Sequence, residues 1–343
     1  MSIAIGVSLA RPRDRSHDAR RFFGLLALVT AVPLFLLPFH AMEAPSGLNG
    51  VILIAWILAG YGHVMTTVWF GIDDGYRPVI MANRQRMLLS LTILPLIMGA
   101  VAFASIGAAA WVYVGYTMWL AHHYNRQNFG LVAFAAAHDG TGPIPREIGW
   151  FFNLSSVAGA VAMIAMPSIF PGGVTPFGAP IYGYWARIAG AVLLFAGALV
   201  LVRLLVRHPA VRRSPTVLLF LGLSLVFYLP SLLVGPANVS FWPYAMAHGA
   251  QYLVMMGVVS RGSALKATGL AITAAIAIVL GFAAFSMDSA PWAQIYTGVV
   301  MWHFLADARL WRLRDPAVRQ VVRERFAFLF EGGPTRIMAG RAD

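Results

Sequence analysis

"LAHHYNRQNFGLVAFAAAHDGTGPIPREIG", residues 120–149, joins a long apolar run to a basic loop, and the number of crossings the chain makes depends on how it is divided. The residues before it form an apolar run long enough to span a bilayer. Its own apolar part, "GLVAFAAA", is too short to do so, since a hydrocarbon core of about 30 Å needs about 20 residues of helix. The spacing therefore predicts a fourth span ending at the His122–His123 pair. The segment 128–149 then reads as a short cytoplasmic-side or re-entrant helix followed by a Gly/Pro loop. An eleventh crossing here would carry every later basic loop to the other side of the membrane.

Composition supports this frame. Of 343 residues, 59% are hydrophobic and 11% charged, where a soluble domain is about a quarter charged. Ten apolar runs are long enough to cross, near 22–42, 50–70, 87–104, 107–124, 150–170, 182–206, 216–235, 241–260, 266–286 and 291–312. Because lipid offers no partner to backbone amides, the fold class expected is all-α, a polytopic transmembrane helical bundle. It divides into a basic segment over 1–21, a membrane domain over 22–312 and a basic tail over 313–343.

The net charge of +12 is distributed by side. Basic clusters stand in "RPRDRSHDARR", "GYRPVIMANRQR", "RHPAVRR", "RGSALK" and "RLWRLRDPAVRQVVRERF", whereas "EAPSGLNG", "FPGGVTPFGAP" and "VGPANVS" hold no Lys or Arg. This alternation predicts both termini in the cytoplasm, and a bacterial inner membrane as the location. It argues against nucleic acid as partner. The tail reads as an amphipathic helix lying on anionic membrane lipids. No cleavable signal peptide is evident ahead of the first run. With no cysteine, thiolate ligands, Fe–S clusters and disulfides are excluded.

The topology places five of the nine histidines in one layer of the cytoplasmic half: His63, His122, His123, His248 and His303. A lone transmembrane histidine is more often a helix-to-helix hydrogen bond than a ligand. Five at one depth on four helices point to a metal or proton site, since neutral imidazole is a common ligand of iron, zinc and copper. Asp307, at i+4 from His303, shares its helix face and is the expected carboxylate ligand or catalytic group. Tyr252, at i+4 from His248, is a second catalytic candidate. Gln251 and Gln127 are expected to hold histidine rings from behind, Gln127 that of His123. Neighbouring residues on a helix point about 100° apart, so His123 is the expected ligand and His122 serves a second ion. His138 and Asp139 read as loop residues, Asp73 and Asp74 as partners of Arg77, and His17, His40 and His208 as outside the site.

"WHFLADARLWR" and "AHGAQY" resemble elements of integral-membrane histidine-motif non-heme iron oxygenases, specifically the bacteriorhodopsin-related-protein-like β-carotene dioxygenases. The resemblance covers about a tenth of the chain and implies metal-binding roles for His303, Asp307 and His248. The His-x-x-x-His and His-x-x-His-His boxes of desaturases and alkane hydroxylases are absent. The function expected is a metal-dependent oxygenase holding one or two non-heme irons. Its partners would be dioxygen, an electron donor and a lipophilic substrate: a fatty acyl chain, an isoprenoid or a carotenoid. Two other readings stay open, a heme-binding electron carrier and a proton-coupled transporter.

Overall fold

The computed structural model describes residues 15–40, 54–55, 57–165, 180–233, 237–260, 268–269, 271–273, 275–276, 279 and 290–330. Among them every regular element is a helix. Four stretches are long and apolar enough to cross a membrane: Arg77–Val101, Arg146–Ile164, Gly183–Arg207 and Pro215–Leu233. The 266–286 run, the three loops without Lys or Arg in large part, and the ends of the chain fall mainly outside the described residues.

In chain order, α1 (Arg15–His40) leads to a composite segment made of a π turn (Leu58–Gly62), α2 (His63–Thr66) and a 3-10 turn (Thr67–Ile72). Next come α3 (Arg77–Val101), α4 (Ile106–Asp139), α5 (Arg146–Ile164), α6 (Pro180–Arg207), α7 (Pro209–Arg212), α8 (Pro215–Val226) and α9 (Leu229–Leu233). The chain continues as α10 (Ala237–Val259), α11 (Ala290–Leu310), α12 (Pro316–Arg325) and α13 (Ala327–Phe330).

The opening stretch resolves differently from the sequence expectation. Residues 128–139 are neither re-entrant nor separate; they continue α4, which runs unbroken for 34 residues. Ser105 caps its start by accepting the Ala108 amide at 3.3 Å. Gly140 ends it in the left-handed conformation at φ 67°, donating its amide to the Ala136 carbonyl, a backbone shape that glycine adopts without a Cβ penalty. Polarity in "HHYNRQN" does not stop the helix, because His123, Tyr124, Asn125 and Asn128 are buried against protein. The stop signal is the Gly-Thr-Gly-Pro that follows. His123 thus sits in mid-helix, 16 residues before Asp139, about 24 Å at 1.5 Å per residue, and not in the last turn.

Packing fixes the helix directions. Phe23 lies 5.4 Å from His138 while Leu34 clusters with Leu120 and Tyr124, so α1 runs antiparallel to α4. Phe129 meets Phe152, and Ala160 and Met163 meet Leu120 and Ala121, so α5 does too. Thr216 donates to Asp139 at 3.2 Å and the Tyr228 hydroxyl donates to the Ala121 carbonyl at 2.9 Å, which sets α8 antiparallel to α4. Trp302 donates to the Met87 carbonyl, and Gly99 faces Ile295, which sets α3 against α11. These directions gather Arg20, Arg21, Arg77, Arg146, Arg207 and Arg312 at one end of the bundle. Large apolar side chains face outward on α3 and α6, among them Leu96, Ile97, Phe195 and Val206. Apolar patches of this extent suit a hydrocarbon surround.

The tail helix α12 is amphipathic as expected, but its apolar face meets protein. Val318, Val321 and Val322 are buried in the core that holds Trp69, Phe70 and Phe134. Arg325 reaches Asp73 at 3.4 Å, so Asp73 is tied to the tail.

A candidate metal centre at the crossing of four helices

The segment carrying His63 is the least regular in the bundle, and the irregularity positions it. The π turn widens the backbone just before His63, and the Ala59 carbonyl there accepts from His63 Nδ1. π turns interrupt regular helix hydrogen bonding and recur at functional sites. Helix α10 approaches this turn so closely that a Cβ on Gly249 would overlap the Ala59 carbonyl. Only glycine permits that contact, which brings His248 beside His63.

Four imidazoles form a closed ring. Centroid separations are 4.9 Å for His63–His248, 4.9 Å for His248–His123, 5.1 Å for His123–His303 and 4.9 Å for His303–His63. All four residues are buried, His248 and His303 completely. Asp307 completes the group. Its Oδ2 lies 3.6 Å from His303 Nε2 and 4.0 Å from His123 Nε2. These are too long for hydrogen bonds. They match two ligands of one ion, which at bonds of roughly 2.0–2.2 Å stand about 2.8–4.4 Å apart. Two overlapping triads, His63–His248–His303 and His123–His303–Asp307, each keep one donor atom per residue within 4.8 Å of the others.

The protein orients this ring from behind. The Ala59 carbonyl on His63 assigns that ring's N–H to Nδ1, and Thr67 Oγ1 lies 2.6 Å from His303 Nδ1, so both rings are held by Nδ1 with Nε2 turned inward. Tyr252 donates to Asp307 Oδ1 at 2.8 Å, which leaves Oδ2 toward the imidazoles. His63 Nε2, His123 Nε2, His303 Nε2 and both nitrogens of His248 are buried with no hydrogen-bond partner. Buried polar atoms are nearly always satisfied. Five orphaned ring nitrogens at one point, with a carboxylate oxygen among them, fit a cation.

The remaining sequence candidates fall elsewhere. His122 is exposed, on the outer face of α4 with Arg126, so the second-ion role expected for it is not available. Gln127 does not hold His123; it donates to the His248 carbonyl and to Gln251 Oε1, each at 2.8 Å. Gln251 donates to Thr30 at 2.8 Å and Asn128 at 3.2 Å. The two glutamines tie α1, α4 and α10 together and touch no imidazole nitrogen. Asp139 accepts from Ser214 and Thr216, while His208 pairs with Glu147 at 3.5 Å.

Sequence reasoning missed Thr67, although it stands four residues after His63 as Asp307 does after His303 and Tyr252 after His248. It also missed a cavity of about 100 Å³ on the opposite side of the ring, lined by Tyr61, His63, Tyr116, Leu120, Tyr124 and Phe304 among others. Gly60 and Tyr61, Tyr116 and Leu120, Ala245, and Tyr296 and Val300 line the cavity from positions before the histidine of their own segment, while Thr67, Tyr252 and Asp307 follow His63, His248 and His303. The four histidine-bearing helices therefore run parallel, which needs an even number of reversals, that is an odd number of intervening crossings, between each consecutive pair. Among known proteins, no family model, no curated protein and no solved structure matches this chain.

Proposed function

We propose that this chain is an integral-membrane, metal-dependent oxygenase that holds a single non-heme iron and acts on a lipophilic substrate. It crosses the bilayer ten times with both termini in the cytoplasm. The observation that carries the reading is the ring of buried, unpartnered imidazole nitrogens with Asp307 at its edge. With metal–nitrogen bonds of roughly 2.0–2.1 Å and about 1.1 Å more to each ring centre, four imidazoles on one ion bring adjacent centres to about 4.5–5.2 Å. The observed 4.9–5.1 Å lies inside that range, which favours one ion over two. Rings in mutual contact leave no slot for a flat porphyrin, which favours a bare ion over heme.

Four imidazoles and one carboxylate form a five-donor nitrogen and oxygen set. It suits iron better than a four-coordinate structural zinc, and leaves an octahedral ion one open position. Iron held here would supply the activation of dioxygen. The chain's own part is threefold. Thr67 and the Ala59 carbonyl hold the ring orientations of His303 and His63. Tyr252 keeps Asp307 aimed at the ring. Tyr116, Tyr124 and Phe304 keep bulk water from the cavity. The parallel arrangement of the four histidine helices and the basic end of the bundle both support the ten-crossing topology.

The test is oxygen consumption by the full chain, purified, reconstituted anaerobically with ferrous iron and supplied with membrane lipid extract. Lipid-dependent uptake that His303→Ala abolishes supports the reading. A Soret band in the purified protein, or uptake unchanged by His303→Ala, contradicts it.

A further inference from the structure

The cavity beside the imidazoles has a shape as well as a volume. Two of its walls are columns, Tyr116, Leu120 and Tyr124 on α4, and Tyr296, Val300 and Phe304 on α11. Each repeats at i, i+4 and i+8, so each follows its helix for about 12 Å, eight residues at 1.5 Å rise. Gly60 and Ala245 add little bulk, and His63 stands at the end nearest the ring. A volume of about 100 Å³ drawn out over that length is a slot and not a chamber. Tyr61 stacks on Tyr296 at 4.2 Å and Tyr116 on Phe304 at 6.3 Å, so its walls are braced ring against ring. No charged side chain lines it apart from what His63 would carry.

We infer that the slot takes one unbranched alkyl chain of a membrane lipid, laid along the helix axes with its terminal carbons at the imidazole ring. This rests on the oxygenase reading and names its substrate class. Cyclic end groups and methyl branches are wider than the slot, so carotenoids and other isoprenoids are shut out. The headgroup, with no charged wall to meet, stays outside.

The experiment uses the full chain in lipid nanodiscs and a hexadecanoic acid carrying a diazirine at its terminal carbon. After photolysis, adducts map to the 116–124 and 296–304 peptides. Unlabelled hexadecanoate competes, retinol does not, and Val300→Trp removes the labelling. Should Val300→Trp fail to fold, Val300→Ala serves instead, because the wider slot then lets retinol compete. Label confined to outward residues such as Leu96 or Phe195, or competition by retinol in the unaltered chain, overturns the assignment. Metal content and oxygen consumption are measured on the same preparations. A labelled slot in a chain that consumes no oxygen contradicts the oxygenase reading alone; oxygen consumption with an unlabelled slot contradicts the alkyl assignment alone.

Discussion

A hydroxyl on Thr67 decides which nitrogen of His303 faces the other imidazoles. Replacing it with valine keeps the shape and removes the hydrogen bond, so the ring is freer to turn. Losing a partner that orients a ligand costs about 10–100-fold in metal affinity. Thr67→Val is expected to fold, to bind metal that much more weakly and to be distinguishable from wild type by competition with a chelator. Direct ligands behave differently: His248→Ala and His303→Ala should lose the metal at any accessible concentration. His122→Ala and His208→Ala should keep it, because the first is exposed on α4 and the second pairs with Glu147. Full metal occupancy in His248→Ala would remove that residue from the ligand set. The clustering of His63, His123, His248, His303 and Asp307 was legible in the sequence because they fall near one depth on separate apolar runs. Thr67 was not, since threonine in a transmembrane helix ordinarily bonds its own backbone, as Thr66 does to the His63 carbonyl here.

At the scale of elements, the contact between the π turn and α10 holds two of the four imidazoles in place. Gly249→Ala sets a methyl group against the Ala59 carbonyl and must push the two segments apart. Overpacking of this kind costs about 1–3 kcal/mol, so the variant should melt earlier and also bind metal less tightly. Gly222 on α8 has open space at the same position, and Gly222→Ala should do neither. Equal effects of the two substitutions, read as melting temperature and metal affinity, would sink this account of the contact. The distortion was invisible in sequence. "LAGYGHVMTT" scans as ordinary apolar helix, and the switch to π geometry comes from packing against α10, which no local propensity encodes. The continuity of α4 was hidden for a related reason. Hydropathy treats "HHYNRQN" as a boundary, yet His123, Asn125 and Asn128 are buried, and they face other helices at a level where protein replaces lipid.

For the whole molecule, the charge pattern and the helix directions make one prediction about sidedness. A cysteine at Phe103, strongly exposed between α3 and α4, stands at the end opposite the basic clusters and should react with an impermeant thiol reagent applied outside. Cysteines at Arg213 and Leu313, also exposed, should react only once the cytoplasmic face is opened. Ser214 is a poor reporter, being buried and bonded to Asp139. The chain has no native cysteine to confuse the result. Reversed labelling would invert the topology and move the metal centre to the other half of the membrane. Helical class was readable from composition because lipid imposes it on any sequence. The depth of the site was not, since it depends on how far α4 extends past the bilayer.

The most direct test of the central claim is X-ray absorption spectroscopy of the purified full chain after loading with ferrous iron and removal of excess metal. A single ion per chain, with a first shell at about 2.0–2.2 Å of four imidazole nitrogens and one carboxylate oxygen, is the predicted result, falling to three imidazoles or to no ion in His63→Ala. Absence of a stoichiometric ion, or four imidazoles retained in His63→Ala, would contradict the account.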